Sequence, residues 1–555
     1  MTATETTWFP VGPADEAPDG TLRRVEAGGT AVCLGRVAGG WIAFDDTCTH
    51  EECPLSDGEL DGAVVVCPCH GSEFDVRTGD VLTPPALEPL PIYETRVEAG
   101  ELQVRLAPPE AAAAAVAERS SHVSREVAAA ASVAGPDTEG LVLDDVDLTD
   151  LDVWERRVPH EWFALLRREA PLHWQDEAHG RGFWSYTRYD DIVEMSKDWE
   201  TYSSELGGTS LQDLEPEEVE ARKSMIDTDP PAHTRLRAIV NKGFTPRVVN
   251  AYEERIRGLA RGILARACER ERFDWVEDVA SEIPMWVFSE IMGLPVDDRR
   301  LLIELGDKIL GNTDPEVIGE EFVEERALQD PELRKLPFSS PFSLELIEYG
   351  RRLGEARRRE PRDDITTRLV QAEVDGSSLD EREFGVFFIL LTTAGNETTR
   401  HTISLGLLAL LEHPEEAARL AGDTSLAPLA ADEVLRWVHP VHHFRRTATR
   451  DVVVHGRRIR AGDKVLMWYA SGNFDEEKFP DPYRFDIGRT PNRHLTFGLG
   501  GPHFCLGAHL ARLEVRIWLE EMVPYLGRIE LAGEPTRLRS SFFNGIKRLP
   551  VRVTA

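Results

Sequence analysis

Two short stretches near the N-terminus carry cysteine and histidine at close spacing. Residues 48–50 have the sequence CTH, and residues 67–70 have the sequence CPCH after 16 intervening residues. Two thiolates and two imidazoles are the ligands of a zinc ion, or of a [2Fe–2S] cluster in which two cysteines hold one iron and two histidines the other. Zinc fingers usually keep the two ligand types apart, whereas here each stretch mixes them. The spacing favours the cluster and leaves structural zinc as the alternative.

A second candidate lies near the C-terminus, where Cys505 stands between a glycine-rich loop and an amphipathic stretch. Residues 497–514 have the sequence FGLGGPHFCLGAHLARLE. Backbone N–H groups and the dipole at a helix N-terminus stabilise a thiolate. Glycines let the backbone approach a flat ligand closely. A single cysteine in a glycine loop is weak evidence alone, so its meaning depends on the rest of the chain.

The composition excludes several classes of protein. The 555 residues contain 63 Lys and Arg against 98 Asp and Glu, a formal net charge of −35. Such a chain repels phosphates, so nucleic acid and anionic membranes are not expected partners. No apolar run approaches the ~20 residues that span a bilayer, and the first residues do not resemble a signal peptide. Seven cysteines make no disulfide scaffold, and we expect a cytoplasmic protein.

The composition and the apolar spacing of the chain predict three segments. Residues 1–107 contain short apolar runs separated by Gly/Asp turns, which predicts strands, with a hairpin near the end of the segment. Residues 108–140 are rich in alanine, lack aromatic side chains and have prolines at both ends, which predicts a linker. Residues 141–555 repeat apolar side chains at helical spacing, with few strand-like pieces. The predicted fold class is therefore multidomain, a small all-β domain followed by a mainly α domain with minor sheets (α+β).

The segment 1–107 resembles a Rieske [2Fe–2S] ferredoxin over most of its length. The resemblance implies these cluster ligands: Cys48, His50, Cys67 and His70. Cys53 and Cys69 match positions that form a disulfide in respiratory-chain Rieske proteins, although a reducing cytosol would leave both free. Ser72 also matches that type, in which a hydroxyl binds a cluster sulfur. Phe74 stands where that type has tyrosine, so one hydrogen bond that raises the potential is missing.

Residues 141–555 resemble the cytochrome P-450 family, with Cys505 as the axial thiolate of haem b. Residues 394–399, AGNETT, match the family's central helix, where Ala394 and Gly395 face the haem. The resemblance assigns Glu397 and Thr398 to an acid–alcohol pair that delivers protons to dioxygen. One departure is that Phe497 stands eight residues before the cysteine, one more than is usual, which puts its packing role in question.

Further motifs occur in the family's order. Residues 433–436, EVLR, match its structural E-x-x-R salt bridge, which implies Glu433, Arg436 and a third member, Arg484. Cations that match haem-propionate partners are His233, Arg237, Arg446 and His503. A buried haem brings two carboxylates that need charge-assisted bonds. Each motif has an ordinary alternative, such as a helix-surface ion pair for E-x-x-R, but five in order favour the family.

We therefore predict a monooxygenase, an oxidoreductase that inserts one oxygen atom from O2 into a hydrophobic substrate. An external NAD(P)H-dependent reductase would pass electrons to the fused ferredoxin and then to the haem. Parts of residues 381–555 resemble actinobacterial members that hydroxylate sterols and methyl-branched lipids, which favours a terpenoid, steroid or branched lipid over a small aromatic. No motif indicates a mononuclear iron site, and no GxGxxG indicates a nicotinamide or flavin domain. A redox sensor or ligand-binding protein without oxygenation, and a peroxide-driven enzyme, are the remaining alternatives.

Overall fold

The computed structural model describes most of the chain, which divides into two compact units, one formed by residues 1–132 and 499–504 and the other by residues 133–498 and 505–555. The described residues are 8–14, 17–49, 54–67, 72–83, 86, 88–98, 100–106, 135–241, 243–373, 376 and 378–554. Residues 108–134 of the predicted linker lie outside these ranges, and residues 135–140 contain neither helix nor strand. The boundaries 1–107, 108–140 and 141–555 stay predictions.

The first unit is built from antiparallel strands, as its short apolar runs predict. Its strands are β1 (Phe9–Pro13), β2 (Leu22–Ala27), β3 (Thr30–Val37), β4 (Gly40–Asp45), β5 (Glu59–Asp61), β6 (Val64–Val66), β7 (Glu73–Asp75), β8 (Val81–Thr83), β9 (Ile92–Glu98) and β10 (Glu101–Arg105). One sheet has the order β1-β10-β9-β4-β3-β2, and the other has the order β5-β6-β7-β8. Alternation sets which faces are buried: in β10, Leu102 and Val104 point into the core.

Helices dominate the second unit, because apolar side chains recur there every three or four residues. The helices are α1 (Leu151–Arg156), α2 (His160–Glu169), α3 (Tyr189–Lys197), α4 (Pro216–Arg222), α5 (Ala232–Asn241), α6 (Pro246–Asn250), α7 (Glu253–Cys268), α8 (Glu282–Met292), α9 (Arg299–Leu310), α10 (Pro315–Ile318), α11 (Glu324–Ala327), α12 (Phe342–Arg359), α13 (Ile365–Gln371), α14 (Glu381–Glu412), α15 (Pro414–Gly422), α16 (Ala427–Val438), α17 (Tyr469–Gly472) and α18 (Ala508–Met522). Among the described residues, no helix is long and apolar enough to cross a membrane.

Minor sheets complete the second unit. Its strands are β11 (Leu172–Gln175), β12 (Phe183–Tyr186), β13 (Tyr202–Ser203), β14 (Arg272–Asp274), β15 (His443–Ala448), β16 (Val452–Val454), β17 (Arg457–Ile459), β18 (Lys464–Trp468), β19 (Ile529–Leu531), β20 (Thr536–Arg537), β21 (Ile546–Arg548) and β22 (Pro550–Val553). The largest of these sheets has the order β11-β12-β18-β15-β13. The predicted fold class, an all-β domain followed by a mainly α domain with minor sheets, is confirmed.

The centre of the second unit is α14, a helix of 32 residues. Its N-terminus is capped reciprocally, since the Asp380 carboxylate accepts from the N–H of Glu383 and the Glu383 side chain accepts from the N–H of Asp380. Helices α9, α12, α16 and α18 pack against it. Because a helix surrounded by other helices must be apolar on most sides, the polar residues within α14 point to a function.

Candidate functional site

The two cysteines that the structure describes in the first candidate site lie in one buried core. Cys48 follows β4, Cys67 directly follows β6, and each is 2% exposed. The loops that follow them are closed at the base by backbone pairing, Thr47 with Pro54 and the Cys67 N–H with the Ser72 carbonyl at 2.8 Å. The predicted ligands His50 and His70 and the predicted pair Cys53 and Cys69 lie outside the described residues.

The hydroxyl of Ser72 is set up to donate one hydrogen bond. Its side chain is fully buried, and its Oγ accepts from the Ala86 N–H at 2.9 Å. A hydroxyl has one hydrogen, and this bond leaves that hydrogen available for a sulfur acceptor. Phe74, two residues later, is fully buried in the same core as both cysteines and presents no hydroxyl. These surroundings fit an iron–sulfur cluster on the two loops.

In the second unit, small residues open one side of α14. Ala394 and Gly395 are exposed at the middle of the helix, whereas Thr393 before them and Asn396 after them are buried. A Cβ placed on Gly395 would approach Phe288 only to 4.0 Å. Two adjacent residues with small side chains leave this face of the helix open, which fits the flat haem that the sequence predicts.

The predicted acid–alcohol pair, Glu397 and Thr398, lies on the same helix. Thr398 is half-buried, and its Oγ1 donates to the Ala394 carbonyl at 2.6 Å, so the oxygen remains able to accept. Glu397 is 1% exposed, accepts from Asn396 Nδ2 at 2.9 Å and forms an ion pair with Arg400. Burial raises the pKa of Glu397 to about 8, and Arg400 opposes the rise. This carboxyl can therefore exchange a proton near neutral pH.

Three of the four predicted propionate partners form a buried basic group. Arg237 and Arg446 are 4% and 6% exposed, and His233 is 1% exposed. Burial, together with the charges of Arg237 and Arg446, lowers the pKa of His233 to about 3, so it is a neutral donor. Burial also lowers the pKa of Arg237 to about 10, and Cys505 opposes this. Buried cations beside one another are stabilised by anions, so this group fits the two carboxylates of the predicted haem. His503 is half-buried in the glycine loop.

Cys505 lies just before α18, as the motif predicts. Its N–H donates to the Phe497 carbonyl at 2.9 Å, and Phe497 is buried beneath the Arg512 guanidinium, 4.7 Å from the ring centroid. Burial raises the pKa of the Cys505 thiol, while the Gly507 N–H, Arg237 and Arg512 lower it. These donors and cations are suited to a thiolate that binds a metal. Phe497 is buried although the loop before Cys505 is one residue longer than usual.

The E-x-x-R motif forms a fully buried ion pair, but its third member differs from the prediction. Arg436 donates to both carboxylate oxygens of Glu433 at 2.8 Å. The second arginine on this carboxylate is Arg489, whose Nε lies 3.1 Å from Oε2. Arg484 contributes its backbone carbonyl, which accepts from Arg436 and Arg489. The prediction that the Arg484 side chain is the third member of this network was wrong, because the chain turns so that Arg489 points towards Glu433.

Three residues of these networks escaped the sequence analysis: Arg400, Asp307 and Arg489. Arg400 had a signal, since it stands three residues after Glu397 on one helix face. Asp307 lies on α9, far away in the sequence, and forms an ion pair with Arg400. Only the packing of α9 against α14 brings Asp307 to this place.

Comparisons with known proteins agree with these two sites. The family model described as "Rieske [2Fe-2S] domain" matches residues 7–94. The model described as "Cytochrome P450" matches residues 426–526.

The relatives cover about three quarters of the chain. The methyl-branched lipid omega-hydroxylase of Mycobacterium tuberculosis strain H37Rv is 39% identical over 439 residues, 76% of this chain and 98% of that protein. The steroid C26-monooxygenase of Rhodococcus jostii is 37% identical over 415 residues, 73% of this chain and 84% of that protein. Among solved structures, a Mycobacterium marinum cytochrome P450 in complex with pseudoionone has a TM-score of 0.66 and 35% identity, covering 76% of this chain and 100% of that one.

The helical unit has a cysteine after a glycine loop and a buried basic group, and it follows a Rieske domain. These features define a haem-thiolate protein with its own iron–sulfur domain. The chain belongs to the cytochrome P450 family and is a monooxygenase. Its cofactors are haem and a [2Fe–2S] cluster. The predicted zinc alternative and the predicted sensor without oxygenation are not supported by these comparisons.

Proposed function

We propose that this chain hydroxylates a bulky hydrophobic substrate, a branched lipid or a steroid. The observation that carries the proposal is its similarity, over most of both chains, to relatives named for those two substrate classes. A smaller aromatic substrate is the second candidate, and the enzyme's O2 requirement is common to both.

Two apolar segments of the haem domain support this substrate class. The chain at Val441 pairs with Phe543, and the His442 N–H donates to the Phe542 carbonyl at 2.8 Å. The rings of Phe444 and Phe542 lie 5.5 Å apart, edge to face, and both side chains are half-buried. Half-buried aromatic and aliphatic groups of this kind favour contact with hydrocarbon over a charged substrate.

We further propose that electrons reach the haem through the fused Rieske domain, from an external NAD(P)H-dependent reductase. Each turnover needs two electrons, and one cluster carries one, so a tethered donor with a high effective concentration is an advantage. Residues 1–107 carry six arginines against 19 carboxylates, a net charge of −13. An acidic electron carrier suits a partner with a basic surface. The cytoplasmic location remains part of this proposal.

The site residues have the following proposed roles. When bound, the haem activates dioxygen and the cluster supplies single electrons. Cys505 would bind the haem iron, and Cys48, His50, Cys67 and His70 would hold the cluster. His233, Arg237, Arg446 and His503 would bind the propionates, while Ala394 and Gly395 would leave space for the ring. Glu397 supplies protons, and Thr398 Oγ1 accepts and passes them on.

A turnover experiment tests the substrate and the electron path together. The holoenzyme is given NADPH or NADH, a surrogate reductase and O2, with a methyl-branched fatty acid, a steroid or a small aromatic compound. We expect hydroxylated product from the first or second compound. Product from the aromatic compound alone would overturn the substrate proposal. Cys48→Ser is expected to abolish turnover but to keep the haem spectrum, and unchanged turnover would overturn the proposed electron path.

Replacing Thr398 tests proton delivery. Thr398→Ala removes the hydroxyl that accepts and donates, so NADH consumption should continue while its electrons go to peroxide. General acid–base groups contribute about 10²–10⁴ in rate, so product per NADH should fall at least tenfold. Thr402→Ala is the matched control, because Thr402 makes the same back-bond, to the Thr398 carbonyl at 2.8 Å. Equal coupling in both variants would remove Thr398 from the mechanism.

A further inference from the structure

Three charged side chains join α9 to the centre of α14. The Arg400 guanidinium forms an ion pair with Glu397 on its own helix and another with Asp307 on α9. The Glu397 side chain is 1% exposed, that of Arg400 is 10% exposed and that of Asp307 is 34% exposed. One guanidinium therefore lies between a fully buried carboxylate and a carboxylate that reaches solvent.

The surroundings of Glu397 contain few other polar groups. Asn396 Nδ2 donates to Oε1 at 2.9 Å, and His401 Nε2 lies 4.0 Å from Oε2. Burial lowers the pKa of His401 far below its usual value, so this ring is neutral. On the α9 side, Gly306 faces the carboxylate, and a Cβ there would lie 3.3 Å from Oε1. Among the described residues, the charges that bear on Glu397 are therefore Arg400 and Asp307.

The charges in this group do not balance. Two carboxylates and one guanidinium carry one excess negative charge, and an excess charge in a buried site favours uptake of a proton. The proton goes to Glu397, because desolvation penalises the buried carboxylate more than the one that reaches solvent. Asp307 keeps its ion pair with Arg400.

We propose that Asp307 is a positioning residue for the proton supply, because it shares Arg400 and so frees Glu397 Oε2 to take up and release a proton. The inference rests on the proposed role of Glu397 and Thr398. With Arg400 drawn towards Asp307, Oε2 is protonated. After the proton leaves towards Thr398, Arg400 returns to the carboxylate, and a proton from solvent restores the first state.

Gly306 provides the space for this exchange. A glycine within a helix is destabilising relative to alanine, and here it lies opposite the carboxylate that must change its partner. Alanine would press on Oε1 and push Glu397 towards one position. The same helix therefore supplies the competing carboxylate and the space beside it.

The first test measures the ionisation of Glu397 directly, without turnover. Infrared spectra of the holoenzyme over a range of pH show the protonated carboxyl band, which Glu397→Gln identifies by its loss. Asp307→Asn removes the competing charge, so the ionisation midpoint should fall by about 1–3 pH units. Glu304→Gln is the matched control, since Glu304 lies on the same helix in an exposed pair with Arg300, at 3.1 Å. An unchanged midpoint in Asp307→Asn, or an equal shift in the control, would overturn the proposal.

The second test asks whether that midpoint governs coupling. In Asp307→Asn, the pH profile of peroxide released per NADH should move by the same amount as the infrared midpoint, with the substrate KM unchanged. Asp307→Glu retains the negative charge, so its infrared midpoint and its coupling profile should both match those of the parent enzyme. A shifted midpoint with an unshifted coupling profile would overturn the role of Asp307 in proton supply. The infrared test needs no substrate. Its result can therefore be interpreted even if the proposed substrate class is wrong.

Discussion

The two iron-binding regions of this chain are assembled in different ways. The first unit takes its described ligands from two loops only 19 positions apart, Cys48 and Cys67, and backbone pairing closes both loops. In the second unit the candidate haem residues extend from His233 to Cys505 and lie on helices, a strand and a glycine loop. A local site depends on the loops that hold it, whereas a dispersed site depends on the whole fold of the helical unit.

The units also use charge differently. Ion pairs of the first unit such as Arg105 with Glu94 have both side chains substantially exposed. The second unit buries Glu433 and Arg436 completely, with Arg489 on the same carboxylate. Exposed pairs contribute about 0–1 kcal/mol, while breaking a buried pair costs about 3–5 kcal/mol. We therefore expect single charge changes to affect the haem unit far more than the Rieske unit.

The largest expected effect separates the two cofactors. Cys505→Ser should abolish the red-shifted Soret band of the reduced carbon monoxide complex and leave the iron–sulfur EPR signal. Cys48→Ser should have the opposite result, because each cysteine serves one site. Cys268→Ala and Cys33→Ala are the matched controls and should retain both signals. If the N-terminal unit holds zinc, or if either ligand variant loses both signals, the division into two independent sites is contradicted.

The next effect concerns the buried network. Glu433→Gln leaves two arginines without their anion, so the free energy of unfolding of the haem unit should fall by about 3–5 kcal/mol. Glu94→Gln in the exposed pair should change the stability of the Rieske unit by less than about 1 kcal/mol. Urea unfolding followed separately by Soret absorbance and by cluster absorbance measures the two.

The same measurement distinguishes the two arginines near Glu433. Arg489→Gln should destabilise the haem unit by several-fold more than Arg484→Gln, because the Arg489 guanidinium reaches the carboxylate and Arg484 contributes its backbone. Equal effects would contradict the structural assignment.

A smaller effect is the acid sensitivity of the haem unit. His443 is buried between Trp468 and Phe542, and burial lowers its pKa from 6.5 to about 3. Between these values the unfolded state binds one more proton at this residue, so below pH 6.5 His443 contributes a loss of stability of about 1.4 kcal/mol per pH unit, added to that of the other buried histidines. His443→Phe should reduce the slope by that amount, measured by urea unfolding at about pH 5 and pH 7. The exposed His179→Phe should leave it, and an equal slope in parent and His443→Phe would contradict the assignment.

The smallest effect lies at the cluster. Phe74 shares a buried core with both cysteines, so a tyrosine hydroxyl there could donate towards a sulfur and stabilise the reduced state. Phe74→Tyr should raise the cluster potential within the range of about −150 to +300 mV and slow haem reduction. Redox titration followed by cluster EPR measures the potential, with Phe9→Tyr on β1, which packs against a different core, as the control. No difference between the two variants would mean that the Phe74 ring does not face the cluster.

Local motifs made much of this molecule predictable. Each of these motifs can be recognised from a few neighbouring residues: the CTH and CPCH stretches, the cysteine after the glycine loop and the AGNETT segment. Helical periodicity predicted the mainly α unit, because apolar spacing reflects one element at a time. Phe497 is buried despite its unusual spacing from Cys505. Gly498, Gly500 and Gly501 all adopt left-handed backbone angles, which lets the longer loop fold back so that the Cys505 N–H reaches the Phe497 carbonyl.

Contacts between distant elements could not be predicted in this way. The sequence by itself determined which residues could bind iron, bind a haem carboxylate or hold a proton, because these follow from side-chain chemistry and short-range spacing. Only the tertiary structure decided that Arg489, and not Arg484, meets Glu433, and that Asp307 shares Arg400 with Glu397. Which charged side chains form pairs depends on their distances and burial once the helices have packed, and local sequence spacing encodes neither quantity.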